Sequence, residues 1–434
     1  MSSSNNLIVN KSKPFLGKVI IPGDKSISHR SIILGSMVKG KIIITNFLKS
    51  DDCLQTISAM KSLGAKITAF DEQIVIEGIG LNNIKKPNKI INAGNSGTLI
   101  RLLTGILSVQ NFSSTITGDE SLNTRPMRRI INPLVAHGAS IDSNDFMAPL
   151  KITGNTKLAP INYRQDVASA QVKSCLMLAA LFIKGESKFY EDIVTRDHTE
   201  NLLEHLGYDI DKSDHEISFK GCQTLIAKDI NIGSDISSAA FFIVAALILK
   251  DSEIKIPNVN INKYRTGIIT VLKEMGANIS IINRRHDSNE ELGDLIIKSS
   301  ELKSLNIGGE IISTLIDELP ILFIACAVSS GVSKISGIEE LRHKESDRIK
   351  SMEEGLTAIG IKVTSTIDSI EINGGEILGG KINSYGDHRI AMAFAISALV
   401  SKKSITIINT KNISTSFPNF IDLMREQRAN IYEL

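Results

Sequence analysis

Pro22-Gly23-Asp24-Lys25-Ser26-Ile27-Ser28-His29-Arg30 joins a short apolar run, Lys18-Val19-Ile20-Ile21, to a second that opens at Ile32-Ile33-Leu34. Pro22 and Gly23 end a strand pattern, and Asp24 or Ser26 can accept from the first free N–H groups of the helix that follows. Lys25 and Arg30 stand on its first turns, at the positive end of the helix dipole. Cations there are unfavourable for the helix alone. Their presence points to an anion at the helix start, where backbone N–H groups already converge. A solvated basic face would read the same from this stretch alone, and repetition separates the two.

Five later segments share the grammar of a polar cluster before an apolar helix. They are Asn95-Ser96-Gly97-Thr98, Ser169-Ala170-Gln171, Ser234-Asp235, Asp317-Glu318 and Gly386-Asp387-His388-Arg389, recurring about every 70 residues. A second series runs in phase with them: amphipathic helices ending at Gly64, Gly138, Gly207, Gly276 and Gly360, each glycine a helix-stop signal. Each is followed by a strand and usually a second one, as in Lys66-Ile67-Thr68 with Gln73–Ile76 and Lys362-Val363-Thr364 with Ser369–Ile372. The last copy, at Ala429–Tyr432, lacks the glycine. The unit therefore reads strand–helix–strand–helix–strand–strand, six times. This is longer than solenoid repeats and predicts an α/β protein of two lobes with three units each.

The chain has 434 residues, too many for one ordinary core, which agrees with two lobes. Net charge is +2 with basic residues dispersed among acidic ones, which argues against a nucleic-acid binder. Cys53, Cys175, Cys222 and Cys326 form no CxxC pair. Cys175 and Cys326 lie in apolar helical runs, so buried thiols, a reducing cytoplasm and no zinc site are expected. The opening Met1-Ser-Ser-Ser-Asn-Asn carries neither a signal-peptide core nor a transit sequence. The longest apolar run, Ile236–Leu249, is too short to span a bilayer and reads as a buried helix.

Further candidates follow in order. Asn92–Arg101 places two glycines around a helix start, so a ligand can approach the backbone closely, although no Walker lysine follows. In Thr124-Arg125-Pro126 the proline suits a first helical position, which puts Arg125 at the cap and leaves Arg128 and Arg129 outside. Ser50-Asp51-Asp52 opens a helix whose buried stripe is Leu54, Ile57, Met60 and Leu63. Arg196 opens another helix, where His198 reads as a capping or surface residue. Asn283–Asp294 reads as a solvated turn. In Glu340–Arg348, a helix would set Lys344, Glu345, Asp347 and Arg348 near one face.

Lys25, Arg125, Lys344, Arg348 and Arg389 thus sit at helix starts. Two unit charges about 6 Å apart at an effective dielectric near 20 repel by about 3 kcal/mol. Convergence of the repeats would then demand a ligand with more than one phosphate or carboxylate, and lobes that close on it. Asp317 and Glu345, set among these cations, are the natural acid–base pair.

Pro-Gly-Asp-Lys-Ser-Ile-Ser-His-Arg, Asn-Ser-Gly-Thr, Thr-Arg-Pro-Met, Ser-Ala-Gln-Val-Lys-Ser, Asp-Glu-Leu-Pro, Arg-His-Lys-Glu-Ser-Asp-Arg and Gly-Asp-His-Arg-Ile-Ala-Met occur in that order along nearly the whole chain. Together they resemble the 5-enolpyruvylshikimate-3-phosphate synthase family. The resemblance implies a two-lobed inside-out α/β barrel of six βαβαββ repeats, with residues 1–20 and 235–434 in one lobe, 21–234 in the other, and crossovers near 21 and 234. It implies transfer of the enolpyruvyl group of phosphoenolpyruvate to the 5-hydroxyl of shikimate 3-phosphate by addition–elimination, in a monomer with no cofactor and no metal. By position, Lys25 resembles the lysine that touches both substrates. Ser26, Arg30, Ser169, Ala170, Arg196 and Lys344 look like shikimate 3-phosphate ligands. Gly97, Arg125, Arg348 and Arg389 resemble the phosphoenolpyruvate clamp, with Gln171 between the substrates. Asp317 is similar to the base at the 5-hydroxyl, and Glu345 to the residue exchanging a proton with the methylene carbon.

Two positions depart from the family pattern. Thr415-Ser416-Phe417-Pro418 lacks a lysine common before that Phe-Pro, and Leu102 follows Arg101 where proline is common. Gly97 leaves room for the inhibitor glyphosate, so sensitivity is the expectation. A UDP-N-acetylglucosamine enolpyruvyl transferase would place a reactive Cys, occasionally Asp, before an Arg-Pro pair, and Asp119–Arg125 has no Cys, with its acids at the start. A non-catalytic anion-binding protein would not need both acid–base residues, and a nucleic-acid-acting relative would carry a basic stripe.

Overall fold

The computed structural model describes residues 6–213 and 215–434; residues 1–5, read above for a leader, lie outside the described residues. The chain divides into two compact units. The N-terminal unit comprises Gly23–Ile232 with His286–Glu290, and the C-terminal unit comprises the segment through Pro22, Gly233–Arg285 and Glu291–Leu434.

Helices of the N-terminal unit are α1 (Lys25–Met37), α2 (Asp51–Ser62), α3 (Gly97–Ser108), the single turn α4 (Glu120–Asn123), α5 (Arg128–Ala136), α6 (Ala170–Ala180) and α7 (His198–His205). Those of the C-terminal unit are α8 (Ile236–Ile248), α9 (Gly267–Glu274), α10 (Leu319–Val328), α11 (Arg348–Ala358), α12 (His388–Ser397) and α13 (Phe420–Glu426).

Among the described residues the strands form six four-stranded sheets. One runs Ile91–Asn92, Ser113–Thr117, Met147–Thr153, Ser140–Asn144; its first pair is parallel and the rest antiparallel. The parallel pair must be joined by a crossover, here α3. The same order recurs in Asn306–Ile307, Val332–Ser336, Ser369–Asn373, Val363–Ser365 around α10. Each sheet is one copy of the repeat.

Three copies borrow strands. Leu16–Lys18 pairs in parallel with Glu253–Asn260, so the strand expected at Lys18–Ile21 serves the α8 repeat and not the α1 repeat it precedes. The α1 repeat instead takes Ile230–Asn231, parallel to Lys39–Thr45. Asn6–Val9 lies between Ile405–Ile408 and Ile431–Glu433 and completes the last repeat.

Helix stops follow the glycine series. Gly64, Gly138, Gly207, Gly276 and Gly360 all have φ between 75° and 104°, the left-handed region open to glycine. The sixth copy uses Arg428 at φ 61°.

The inner helix of each repeat is buried on nearly all faces. In α8 every residue from Ile236 to Leu247 is buried, and in α10 every residue from Leu319 to Ala327. A helix apolar all round belongs inside a core, and α8, α10 and α12 pack on one another. Phe242 of α8 meets Phe417 and Phe420 edge-on at 6.1 and 6.0 Å, a favoured aromatic arrangement. In the N-terminal unit α3 packs along α6. Their close approach depends on Gly105, where an added Cβ would sit 2.1 Å from the carbonyl oxygen of Cys175.

Several expectations are corrected here. The buried stripe of α2 uses Cys53 in place of Leu54, which is 43% exposed. Asn283–Asp294 lies in a hairpin, its first residues exposed, but it is mostly strand and not turn: Asn278–Asp287 and Glu290–Lys298 run through it, and Glu290 is buried. Cys175 and Cys326 are buried free thiols, as read, and burial pushes each up to about 12. Cys53 is buried as well, and Cys222 is exposed.

The Gly105 contact yields a stability test. Gly105→Ala forces α3 off α6 and destabilises the N-terminal unit by about 1–3 kcal/mol, read as a lower urea midpoint. Gly375→Ala, whose added Cβ would meet nothing nearer than 3.8 Å, stays within about 0.5 kcal/mol of the parent.

Candidate active site

Helices buried on their sides present polar groups only at their ends, and the sequence supplies caps there. Asp24 Oδ1 accepts from Ile27 N, Ser96 Oγ from Leu99 N, Ser169 Oγ from Val172 N, Asp235 Oδ1 from Ser237 N and Asp387 Oδ1 from Arg389 N. The candidate residues lie within a few positions of one of these caps or of the second helix in the same repeat, except Asp317, which precedes α10, a helix without a side-chain cap.

In the N-terminal unit the candidates form two groups joined by α6. In the first, Arg30 is buried and its guanidinium is fully oriented. Nε donates to Thr199 Oγ1 at 2.7 Å, Nη1 to the Ser26 carbonyl at 3.0 Å and Nη2 to Ser174 Oγ at 2.7 Å. Lys25 pairs with Asp52 at 2.9 Å. His29, between them on α1, stays neutral: burial first, then the charges of Lys25 and Arg30, hold its pKa well below the usual value.

The second group surrounds Gly97. An added Cβ there would lie 2.9 Å from Arg101 Nη1 and 3.5 Å from Arg125 Nη1, so the missing side chain is space between two guanidinium groups. Arg101 Nη1 donates to Gln171 Oε1 at 2.6 Å, and Gln171 Nε2 donates to Thr98 Oγ1 at 3.0 Å. Arg125 Nη2 donates to Asn95 Oδ1 at 2.8 Å. Gln171 and Ser174, one turn apart on α6, thus serve one group each. Ser169 and Ala170 stand half-buried at the start of α6, and Arg196 is half-buried before α7.

The C-terminal unit gathers its candidates on Arg348, which is 1% exposed. Its Nε donates to Asp387 Oδ2 at 2.8 Å and its Nη2 to Glu345 Oε2 at 2.6 Å, while Nη1 lies 3.9 Å from Asp317 Oδ1. Burial alone would lower its pKa. The attraction of Asp387, then Glu345 and Asp317, outweighs that and holds it above the ordinary arginine value. Nη1 is buried with no hydrogen-bond partner among the described residues. Arg389 Nη1 donates to the backbone carbonyl of Asp317 at 2.7 Å. The next residue, Glu318, accepts from Ser237, whose hydroxyl also accepts from Arg265 Nη2 at 2.8 Å. Asp317 is therefore fixed from both sides while its carboxylate remains accessible. Lys344 stands apart from this group, paired with Glu340 at 3.0 Å.

The structure revises three local expectations. Residues 340–348 are not one helix: a 3-10 turn ends at His343, Lys344 is extended, and α11 starts at Arg348 with Asp347 as its cap. Helix α5 starts at Arg128, three residues after Arg125, which is buried in the preceding turn. His198 is not at the surface; it is buried and 2.7 Å from Glu290. The cations also differ from the expected mutually repelling set, because Lys25, Lys344 and Arg348 each face a carboxylate. Sequence reasoning passed over Asp52, Arg101, Ser174, Thr199 and Asp387. Arg101, Ser174 and Asp387 lie inside motifs already quoted, so the signal was present. Thr199 is recognisable only through its contact with Arg30, 169 residues away.

A family model described as EPSP synthase (3-phosphoshikimate 1-carboxyvinyltransferase) matches residues 9–424. The chain is 46% identical over 429 residues to the 3-phosphoshikimate 1-carboxyvinyltransferase of Vesicomyosocius okutanii, covering 98% of this chain and 99% of that protein. Its fold is similar to that of EPSP synthase from Acinetobacter baumannii, with a TM-score of 0.88, 41% identity, and coverage of 98% and 99%. The enolpyruvyl transferase NikO from Streptomyces tendae shares the fold at a TM-score of 0.79 and 15% identity, over 99% of each chain.

Proposed function

The chain belongs to the EPSP synthase family, and from that premise we propose how its residues divide the reaction. It is a transferase that moves the enolpyruvyl group of phosphoenolpyruvate to the 5-hydroxyl of shikimate 3-phosphate and releases phosphate. In the addition step a proton reaches the methylene carbon, the 5-oxygen bonds to the neighbouring carbon and the hydroxyl proton leaves. In the elimination step the methyl carbon returns a proton, the carbon–oxygen bond to phosphate breaks and the double bond re-forms.

Asp317 takes the hydroxyl proton and Glu345 exchanges the proton at the methylene carbon. The observation that carries this reading is the gathering of both carboxylates on Arg348, at 3.9 and 2.6 Å. Their side chains are 20% and 22% exposed over a guanidinium that is only 1% exposed. A buried cation thus holds two accessible carboxylates in place.

Arg348 Nη1, buried with no hydrogen-bond partner among the described residues, is the donor for a phosphoenolpyruvate oxygen. Arg389, Arg125, Lys25 and the backbone at Gly97 complete that clamp, with Gln171 reaching both substrates. Lys25, Ser26, Arg30, Ser169, Ala170, Arg196, Asp317 and Lys344 serve shikimate 3-phosphate. Among the described residues no helix is long and apolar enough to cross a membrane, and the four cysteines are free. A monomer in a reducing cytoplasm is the setting we assign.

Asp317→Asn lowers kcat for phosphate release, with shikimate 3-phosphate as acceptor, by about 10² to 10⁴, and leaves shikimate 3-phosphate affinity within a few-fold. Near-normal turnover would remove Asp317 as the base. Glu345→Gln stops solvent deuterium from entering the methylene carbon of phosphoenolpyruvate, followed by NMR; undiminished exchange would assign that proton elsewhere. Gly97→Ala, which fills the space between Arg101 and Arg125, raises KM for phosphoenolpyruvate about tenfold, a cost of about 1.4 kcal/mol, while KM for shikimate 3-phosphate holds.

A further inference from the structure

Beneath the Arg30 group lies an ionic cluster that no step above uses. Lys173 of α6 is 1% exposed, and its Nζ lies 2.7 Å from Glu191 Oε2 and 2.6 Å from Glu200 Oε1. The two carboxylates are 3% and 1% exposed. Burying one ammonium with two carboxylates is a poor way to gain stability, since desolvation can exceed the attraction and apolar replacements of similar volume are often as stable. Burial opposes the charge on Lys173, but Glu200 and then Glu191 outweigh it and raise its pKa; burial raises that of Glu200.

The connections of the cluster are more informative than its energy. Glu191 Oε1 accepts from Gln165 Nε2 at 3.1 Å and from Thr195 N at 3.2 Å. Gln165 Oε1 in turn accepts from the backbone N–H of Ser169 at 2.8 Å, and Thr195 is the residue before Arg196. Lys173 precedes Ser174, and Glu200 follows Thr199. Ser174 and Thr199 are the two hydroxyls that orient Arg30, and they lie 2.7 Å from each other. Each member of the cluster therefore stands one residue or one short hydrogen-bond path from Ser169, Arg196 or Arg30.

We propose that Lys173 is a positioning residue for shikimate 3-phosphate, its ammonium drawing Glu191 and Glu200 together so that Ser169, Arg30 and Arg196 hold a common geometry. The proposal rests on assigning those three residues to that substrate. It deepens that assignment, because the cluster acts through Gln165, Thr195, Ser174 and Thr199 on the residues assigned to that substrate.

The test compares the parent with Lys173→Met and with a neutral triple variant, Lys173→Met/Glu191→Gln/Glu200→Gln. The triple variant removes the buried charges together, so it folds even if the single variant does not. Steady-state KM is measured for each substrate with the other saturating, alongside thermal melting and calorimetric titration with shikimate 3-phosphate. The expected result is a rise of about tenfold or more in KM and Kd for shikimate 3-phosphate, KM for phosphoenolpyruvate within about twofold, and a triple variant melting near the parent. A merely structural role would lower the melting temperature without separating the two KM values. Parent-like KM and Kd for shikimate 3-phosphate in the folded triple variant would overturn the proposal. Parent protein that fails to bind shikimate 3-phosphate in the titration would instead overturn the assignment beneath it, and the proposal with it.

Discussion

A helix enclosed by apolar neighbours can meet polar partners only where its hydrogen-bond ladder runs out. That constraint governs this molecule. Helices α8 and α10 are buried over almost their whole length, and the inner helices of the other repeats are nearly so. Their first N–H groups need caps; Asp235 serves α8, and Pro320 removes one N–H from the first turn of α10. Chemistry then has few places to reside. The lysines, arginines and carboxylates assigned to the reaction cluster at helix starts because the fold leaves polar groups no other way into the inner layer.

The same constraint explains how the charges are tolerated. Arg348 could not be buried without Asp387, which caps α12 and accepts from the guanidinium at once. Asp387 thereby ties a structural requirement, the helix cap, to a chemical one, the orientation of the cation. Arg30 is oriented by hydroxyls and a carbonyl, and Lys25 by Asp52. Orienting charges before substrate arrives is what makes electrostatic stabilisation effective.

The repeat and its punctuation were legible in the sequence because both depend on local chemistry. Five glycines in phase announce five left-handed helix stops, and all five have that conformation. The polar clusters before apolar runs announce the caps, and Asp24, Ser96, Ser169, Asp235 and Asp387 fill that role. What escaped was set by distance along the chain. Lys18–Ile21 looks like the opening strand of the helix it precedes, yet the strand is Leu16–Lys18 and its partner is Glu253–Asn260. His198 looks like a surface cap until Glu290 is seen beside it, 92 residues on. Lys344 and Arg348 share a face only if residues 340–348 are helical, and the break after His343 separates them. Of the candidate site, the residue types and helix ends were legible; the pairing of Lys25, Lys344 and Arg348 with carboxylates was not.

The strand Asn6–Val9 has a consequence for biosynthesis. The sheets of the N-terminal unit use only residues between Lys39 and Lys220, closed by Ile230–Asn231. Those sheets can form on the ribosome before most of the C-terminal unit is translated, as domains generally do, although His286–Glu290 joins the unit only later. The C-terminal unit has no such option. Asn6–Val9 is made long before its two neighbours, Ile405–Ile408 and Ile431–Glu433. Until those neighbours are made this strand has both edges unpaired, and unpaired apolar edges are prone to wrong partners. The nascent chain is therefore exposed to misassembly at this strand until the segments through Glu433 arrive.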